Sequence, residues 1–175
     1  MIHGTKQDQI LGQEFSVFLS EKLKKKFSFS TIQRIFGGAS RETYRVVLKD
    51  EDQSNISFIY RRSQNSSLIE TSQKTEYFAY SDFQETEVPV PRLVALEESA
   101  DVLGAPFMVM EELPGKVASP FDKDAYTPHE TEIGKQFWKI LGKIAAHDLT
   151  NSKLREISEE KTLNNCLPIS VSWGV

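Results

Sequence analysis

The stretch that most constrains this chain is FMVMEELPG over residues 107–115, an apolar run that stops at Glu111 and Glu112 and then at Pro114 and Gly115. Entered through Ala105 and Pro106 and left through a Pro-Gly pair, it fits a buried strand meeting a turn, because a helix would need about twice the length. The chain before it is strand-rich and the chain after it is helical. It is a seam between two kinds of structure, and seams of that sort are where ligands sit.

Upstream, Ile10, Leu11, Phe15, Phe18, Leu19 and Leu23 recur at helical spacing and predict an amphipathic helix over residues 7–26. Residues 29–36 and 43–48, rich in Ile, Phe, Tyr and Val, read as two strands joined by a glycine loop that holds Gly37, Gly38, Ala39 and Ser40. The polar residues 49–55 turn the chain into a third strand over residues 56–62. Ile56, Phe58 and Tyr60 share one of its faces, and Ser57, Ile59 and Arg61 share the other. Leu68, Ile69, Thr75, Phe78, Ala79 and Phe83 predict a second helix over residues 67–86, ended by Pro89 and Pro91. Residues 92–96 make a short strand, and an acidic turn leads to the opening stretch as the fifth. Further on, Ile133, Phe137, Ile140, Leu141, Ile144 and Ala145 mark one face of a helix predicted over residues 129–149.

Composition removes several function classes. With 175 residues, 39% of them hydrophobic, the chain can bury a core, and its net charge of −4 argues against an extended nucleic-acid surface. Its one basic run, Lys24, Lys25 and Lys26, reads as a solvated helix end. The lone cysteine, Cys166, rules out an intrachain disulfide and fits a reduced compartment. No stretch approaches the roughly 18 apolar residues of a membrane span, and the first twenty residues lack a secretory block, so the expectation is a soluble, cytoplasmic protein.

Few residues carry chemistry. The glycine loop could offer backbone N–H groups to a phosphate, or it is an ordinary hairpin. Arg61, on a strand with apolar neighbours, calls for an anionic partner, and Glu76 on the next helix is the candidate; the same two residues could form a plain structural ion pair. His147, Asp148 and Asn151 do not have the spacing of a kinase catalytic loop, and His147 is better explained as a helix-terminal histidine. His3, His129 and His147 are scattered and make no metal site, no Gly-x-Ser-x-Gly occurs, and Cys166 has no neighbouring base.

Taken in order, FGGASRETY at residues 36–44, Tyr60-Arg61-Arg62, Glu76-Tyr77, the Pro89 and Pro91 pair, LGAPFMVME at residues 103–111 and Pro114-Gly115 resemble the amino-terminal lobe of the aminoglycoside phosphotransferase and related small-molecule kinase family. The branch linked to acyl-CoA dehydrogenases, where arginine replaces the usual strand lysine, is the nearest in pattern. The resemblance implies an α+β fold, a kinase-like N-lobe with a five-stranded antiparallel sheet and a crossing helix. An N-terminal helix precedes it, and the first helix of an incomplete C-lobe follows. Segments 1–28, 29–115 and 116–175 correspond to these parts.

By the same resemblance, Gly37, Gly38, Ala39 and Ser40 cover the phosphates of ATP, and Arg61, oriented by Glu76, replaces the lysine. Ile59 presses on the adenine ring, Met110 lines the back of the pocket, and the backbone of Glu111 and Leu113 meets the adenine edge. ATP and Mg2+ are the implied cofactors of the complete enzyme. The family's His-Gly-Asp loop is absent from the sequence, so the expectation is a truncated product, inactive by itself. The alternatives are a non-catalytic nucleotide-binding or interaction module and an α+β domain unrelated to nucleotides. The apolar face of the 129–149 helix is expected to be uncovered and to support a homo-oligomer.

Overall fold

In the computed structural model, which describes residues 5–36, 41–63, 73–115, 121–122, 124–155 and 157, the elements run α1 (Lys6–Leu23), β1 (Ser28–Ile35), β2 (Arg41–Lys49), β3 (Asn55–Ser63), α2 (Gln73–Ser81), β4 (Leu93–Glu97), β5 (Phe107–Glu111) and α3 (Glu130–Ala145). Helix α1 starts where the sequence can satisfy its first N–H groups. The Thr5 hydroxyl accepts from the Asp8 N–H at 3.2 Å, and the Asp8 carboxylate accepts from the Thr5 backbone N–H at 2.8 Å, a reciprocal capping box. It stops at Leu23, earlier than residue 26, because Lys24 turns left-handed at φ 52° and the Ser20 hydroxyl accepts the Phe27 N–H at 3.1 Å.

The five strands form one antiparallel sheet in the order β1-β2-β3-β5-β4. Two rows of directly opposed residues define its faces: Tyr44, Tyr60 and Val109 in one, and Arg45, Ile59 and Met110 in the next. Opposed residues share a face and alternate rows take alternate faces, so the split expected within β3 extends across the sheet. The first row, with Val46, Leu48, Phe58 and Phe107, packs under Leu11, Phe15 and Leu19 of α1. The ring of Phe15 meets Tyr60 edge-on at 5.2 Å, and Phe18 meets Phe107 at 5.0 Å. At Gly12 the helix comes so near the sheet that an added Cβ would lie 2.2 Å from the Phe29 ring.

The fold is thus α+β, a five-stranded antiparallel sheet with a crossing helix and a preceding helix, as in a kinase-like N-lobe. The two later helices also differ in length from their periodicity. Helix α2 ends at Ser81 rather than 86; the chain then descends through tight turns, Phe83 N–H to Tyr80 carbonyl and Thr86 N–H to Phe83 carbonyl. Gln84 fixes that departure, donating to the Pro91 carbonyl at 2.9 Å and accepting the Leu93 N–H at 3.0 Å, so that its amide substitutes for backbone between α2 and β4. Residues 67–72 of the predicted helix, with Glu70, lie outside the described residues, as do Cys166 and the chain from 158 onward.

Helix α3 closes at Ala145, with His147 just beyond it, its ring tilted at 44° against Phe83 at 4.6 Å between centroids. None of its residues is buried, and Ile133, Phe137, Trp138, Leu141 and Ile144 are exposed. Polar links tie it to the turn after α2: Lys143 pairs with Glu87, and Ser152 donates to the Asp82 carboxylate. No helix among the described residues is long and apolar enough to cross a membrane.

Candidate functional site

The face of the sheet turned away from α1 carries the chemistry. On β2 the alternation that sends Tyr44, Val46 and Leu48 to the core sends Arg41, Thr43 and Arg45 to this side; on β3 it sends Ser57, Ile59 and Arg61. The β3–β5 register adds Met108 opposite Arg61 and Met110 opposite Ile59, both buried. Three guanidinium groups and an apolar floor therefore share one surface, with α2 along its far side.

Arg61 and Glu76 meet as the sequence anticipates. The Arg61 Nη1 donates to Glu76 Oε1, both side chains largely but not wholly buried. Gln73, one turn earlier on α2, donates from its side-chain amide to the Arg61 carbonyl at 2.9 Å, so the helix grips both the head and the backbone of the arginine. A second cation joins them: Arg41, 7% exposed, places its Nε 3.9 Å from Glu76 Oε2. One carboxylate thus faces two guanidinium groups. A carboxylate so placed holds a guanidinium in a fixed direction.

At the other end of the same face, the chain leaving β5 borders a cleft of about 540 Å3 formed by residues 55–57, residues 111–115 and Arg45. Met110, just before this segment on β5, is buried, while Glu111 and Leu113 are exposed. The Glu111 N–H donates to the Arg92 carbonyl at 2.9 Å, and the Glu112 N–H to the Ser57 carbonyl at 3.4 Å. Gly115 closes the segment with φ 136°, a conformation a side chain would resist, so the turn after Pro114 depends on glycine. Arg45 crosses toward this segment and donates from Nε to Glu112 Oε2 at 2.7 Å.

The structure therefore brings Ile59, Arg61, Glu76 and Met110 to one face and sets Glu111 and Leu113 at the rim of the adjoining cleft. Gly37, Gly38, Ala39 and Ser40 lie outside the described residues; of the strands that flank them, β1 ends at Ile35 and β2 begins at Arg41. Sequence reasoning missed Arg41, Arg45, Glu112 and Gln73. The spacing of Arg41, Thr43 and Arg45 against Tyr44, Val46 and Leu48 was a usable signal for a shared face. The register that puts Arg45 opposite Ile59 was not readable.

The opposite face has its own charged group, at the edge of the core. Glu42 is shared by Arg34 at 2.9 Å and Arg62 at 3.1 Å. Beside it Tyr60 is fully buried, and its hydroxyl has no well-formed hydrogen bond among the described residues. Burial pushes that phenol up to about 12, against a smaller opposing pull from Arg62. Tyr44 is raised too, by burial first and the charge of Glu42 second. Among the described residues no three His, Cys, Asp or Glu side chains converge on a common point that could hold a metal ion.

The model of the phosphotransferase enzyme family, APH, matches residues 31–173. Among solved structures, a provisionally named aminoglycoside phosphotransferase from Ralstonia eutropha JMP134 aligns with 64% of this chain and 32% of its own, at 21% identity and a TM-score of 0.46. The chain thus spans about a third of that protein's length. No curated protein matches the sequence.

Proposed function

The chain belongs to the phosphotransferase enzyme family, and from that premise we propose that it is the nucleotide-holding amino-terminal part of an ATP-dependent enzyme that phosphorylates a hydroxyl of a small molecule. The observation that carries this reading is the Arg61–Glu76 pair, a strand cation held by a carboxylate of the crossing helix on the same sheet face as the 107–115 segment. In kinase-type sites a strand cation in this position neutralises and orients nucleotide phosphates. Arg61 takes that role here, Glu76 aims it, and Arg41 supplies a second positive charge from the strand that follows Gly37, Gly38, Ala39 and Ser40.

The base lies toward the cleft. In this reading Ile59 offers half-buried apolar surface to one face of the adenine, and Met110, opposite it in the β3–β5 register, lines the back of the pocket. With the Glu111 N–H committed to Arg92, the contact of Glu111 with the base edge falls to its carbonyl, and Leu113 contributes main-chain groups one turn of the strand further on. Magnesium does not fit the described residues, which gather no acidic set for it, so no step is assigned to the metal. The sequence also has no His-Gly-Asp to position a hydroxyl. In this reading segment 29–115 is the lobe that holds the nucleotide.

Titration calorimetry with MgATP tests this. The chain is expected to bind, and Arg61→Met to bind about tenfold or more weakly, since it loses a charge-assisted contact to phosphate. Equal affinity in the two proteins, or no heat from either, would overturn the reading. In the same reading the exposed apolar face of α3 pairs two copies of the chain. Light scattering should show a dimer that Phe137→Ser with Leu141→Ser dissociates; a monomer at high concentration ends that claim.

A further inference from the structure

The Arg45–Glu112 pair has no role in the site as assembled so far. Arg45 stands directly opposite Ile59 in the β2–β3 register, and Ile59 stands opposite Met110. Its side chain therefore rises from the nucleotide-facing surface over β3, one row from the Arg61 row, and ends on Glu112 just past β5. The pair spans β3 and joins the outer part of the sheet to the segment that borders the cleft. It is also the only side chain of β2 that lines that cleft among the described residues.

We propose that Arg45, held by Glu112, forms one wall of the base site, presenting its guanidinium plane as a stacking surface that favours purines. This deepens the nucleotide reading above and rests on it. The chemistry follows from the residue type. A guanidinium is planar, weakly hydrated and attracted to the face of an aromatic ring, whereas an ammonium on a flexible stem is none of the first two. Glu112 contributes by fixing the plane: a charge-assisted contact at 2.7 Å leaves the head one anchored edge and two open faces. The pair is partly exposed, so a ligand can reach it without dismantling a buried network. Because a purine presents two fused rings to such a plate and a pyrimidine one, the wall discriminates by stacking area rather than by hydrogen bonds to the base edge. Arg45 is then a specificity-determining residue, and Glu112 a positioning residue acting through it.

The experiment compares ATP with UTP in calorimetric titrations of the 175-residue chain and of Arg45→Met, Arg45→Lys and Glu112→Gln, each first checked for an unchanged melting profile without nucleotide. Arg45→Met is expected to weaken ATP binding by about tenfold and UTP binding by much less, collapsing the ratio between them. Arg45→Lys, which keeps the charge and loses the plane, should lose most of the same preference. Glu112→Gln should fall between Arg45→Met and the unaltered chain. An ATP-to-UTP ratio unchanged in Arg45→Met overturns the stacking wall and leaves the nucleotide reading standing. Tighter ATP binding by Arg45→Met also overturns it, since the pair would then be an obstruction. If neither the unaltered chain nor any variant binds either nucleotide, both the wall and the reading beneath it fall.

Discussion

Helices α1 and α3 are 18 and 16 residues long, and both carry apolar residues at helical spacing. Their fates are opposite. Helix α1 seats Phe15 and Leu19 with no exposed surface on the sheet, while α3 keeps Phe137, Trp138 and Leu141 in the open. A periodic apolar stripe therefore specifies that a helix has something to cover without specifying what covers it. The difference lies in the partner: α1 has a completed sheet face beneath it, and α3 meets the rest of the chain through polar links and one aromatic contact.

The contrast is sharpest in paired truncations. Phe15→Ala should lower the free energy of unfolding by about 3–5 kcal/mol, the cost of emptying an aromatic site in a packed core, whereas Phe137→Ala, measured at protein concentrations dilute enough to keep the chain monomeric, should stay within about 0.5 kcal/mol. Urea denaturation curves give both values, and equal losses would erase the distinction between the two helices.

A second measurement tests the depth of burial under α1. The folded phenol of Tyr60 titrates above its ordinary value of 10.0, at about 12. Its contribution to stability is thus intact below pH 10 and is lost as pH rises toward 12, because ionisation then favours the unfolded chain. The loss should approach about 2–3 kcal/mol across that window and be missing from Tyr60→Phe, which also removes the unpartnered hydroxyl. Parallel alkaline denaturation profiles for the two proteins would mean that the core side is wetter than described.

On the other face, Glu76→Gln leaves two guanidinium groups without their carboxylate and should cost about 1–2 kcal/mol in thermal or chemical melts. Glu76→Gln with Arg61→Met should recover part of it, because the Arg61 charge is no longer left without its carboxylate; a strictly additive loss would show that the two side chains do not depend on one another. The smallest effect belongs to α3. Lys143→Met breaks the exposed pair with Glu87, whose carboxyl is held below its usual range by the hydrogen bond and charge of that lysine. The resulting drop in melting temperature should be slight, should vanish at about 0.5 M salt, and should shrink as pH falls through the range where Glu87 protonates.

The sheet was legible in the sequence because β2 and β3 alternate cleanly and Asp50 to Ser54 announce a turn; their boundaries move by only a residue or two. The Arg61–Glu76 pair was legible because a cation among apolar strand neighbours restricts its partner to a short list. Lengths of α2 and α3 were not, since Gln84 ends one through a side chain that mimics backbone and the other stops without any packing that would extend it. Arg45 and Glu112, 67 positions apart, meet only through a three-strand register, and no local pattern encodes that. Membership of the phosphotransferase enzyme family agrees with the resemblance read from the ordered motifs, none of which was specific alone.

The division of β2 into residues that serve the core and residues that face away from it has an evolutionary consequence. Tyr44, Val46 and Leu48 can keep the lobe folded while Arg41, Thr43 and Arg45 change, because the two sets point to opposite sides of one backbone. Selection can then act on the face turned away from α1 separately from the core, and a strand of nine residues carries two sets of positions that change independently.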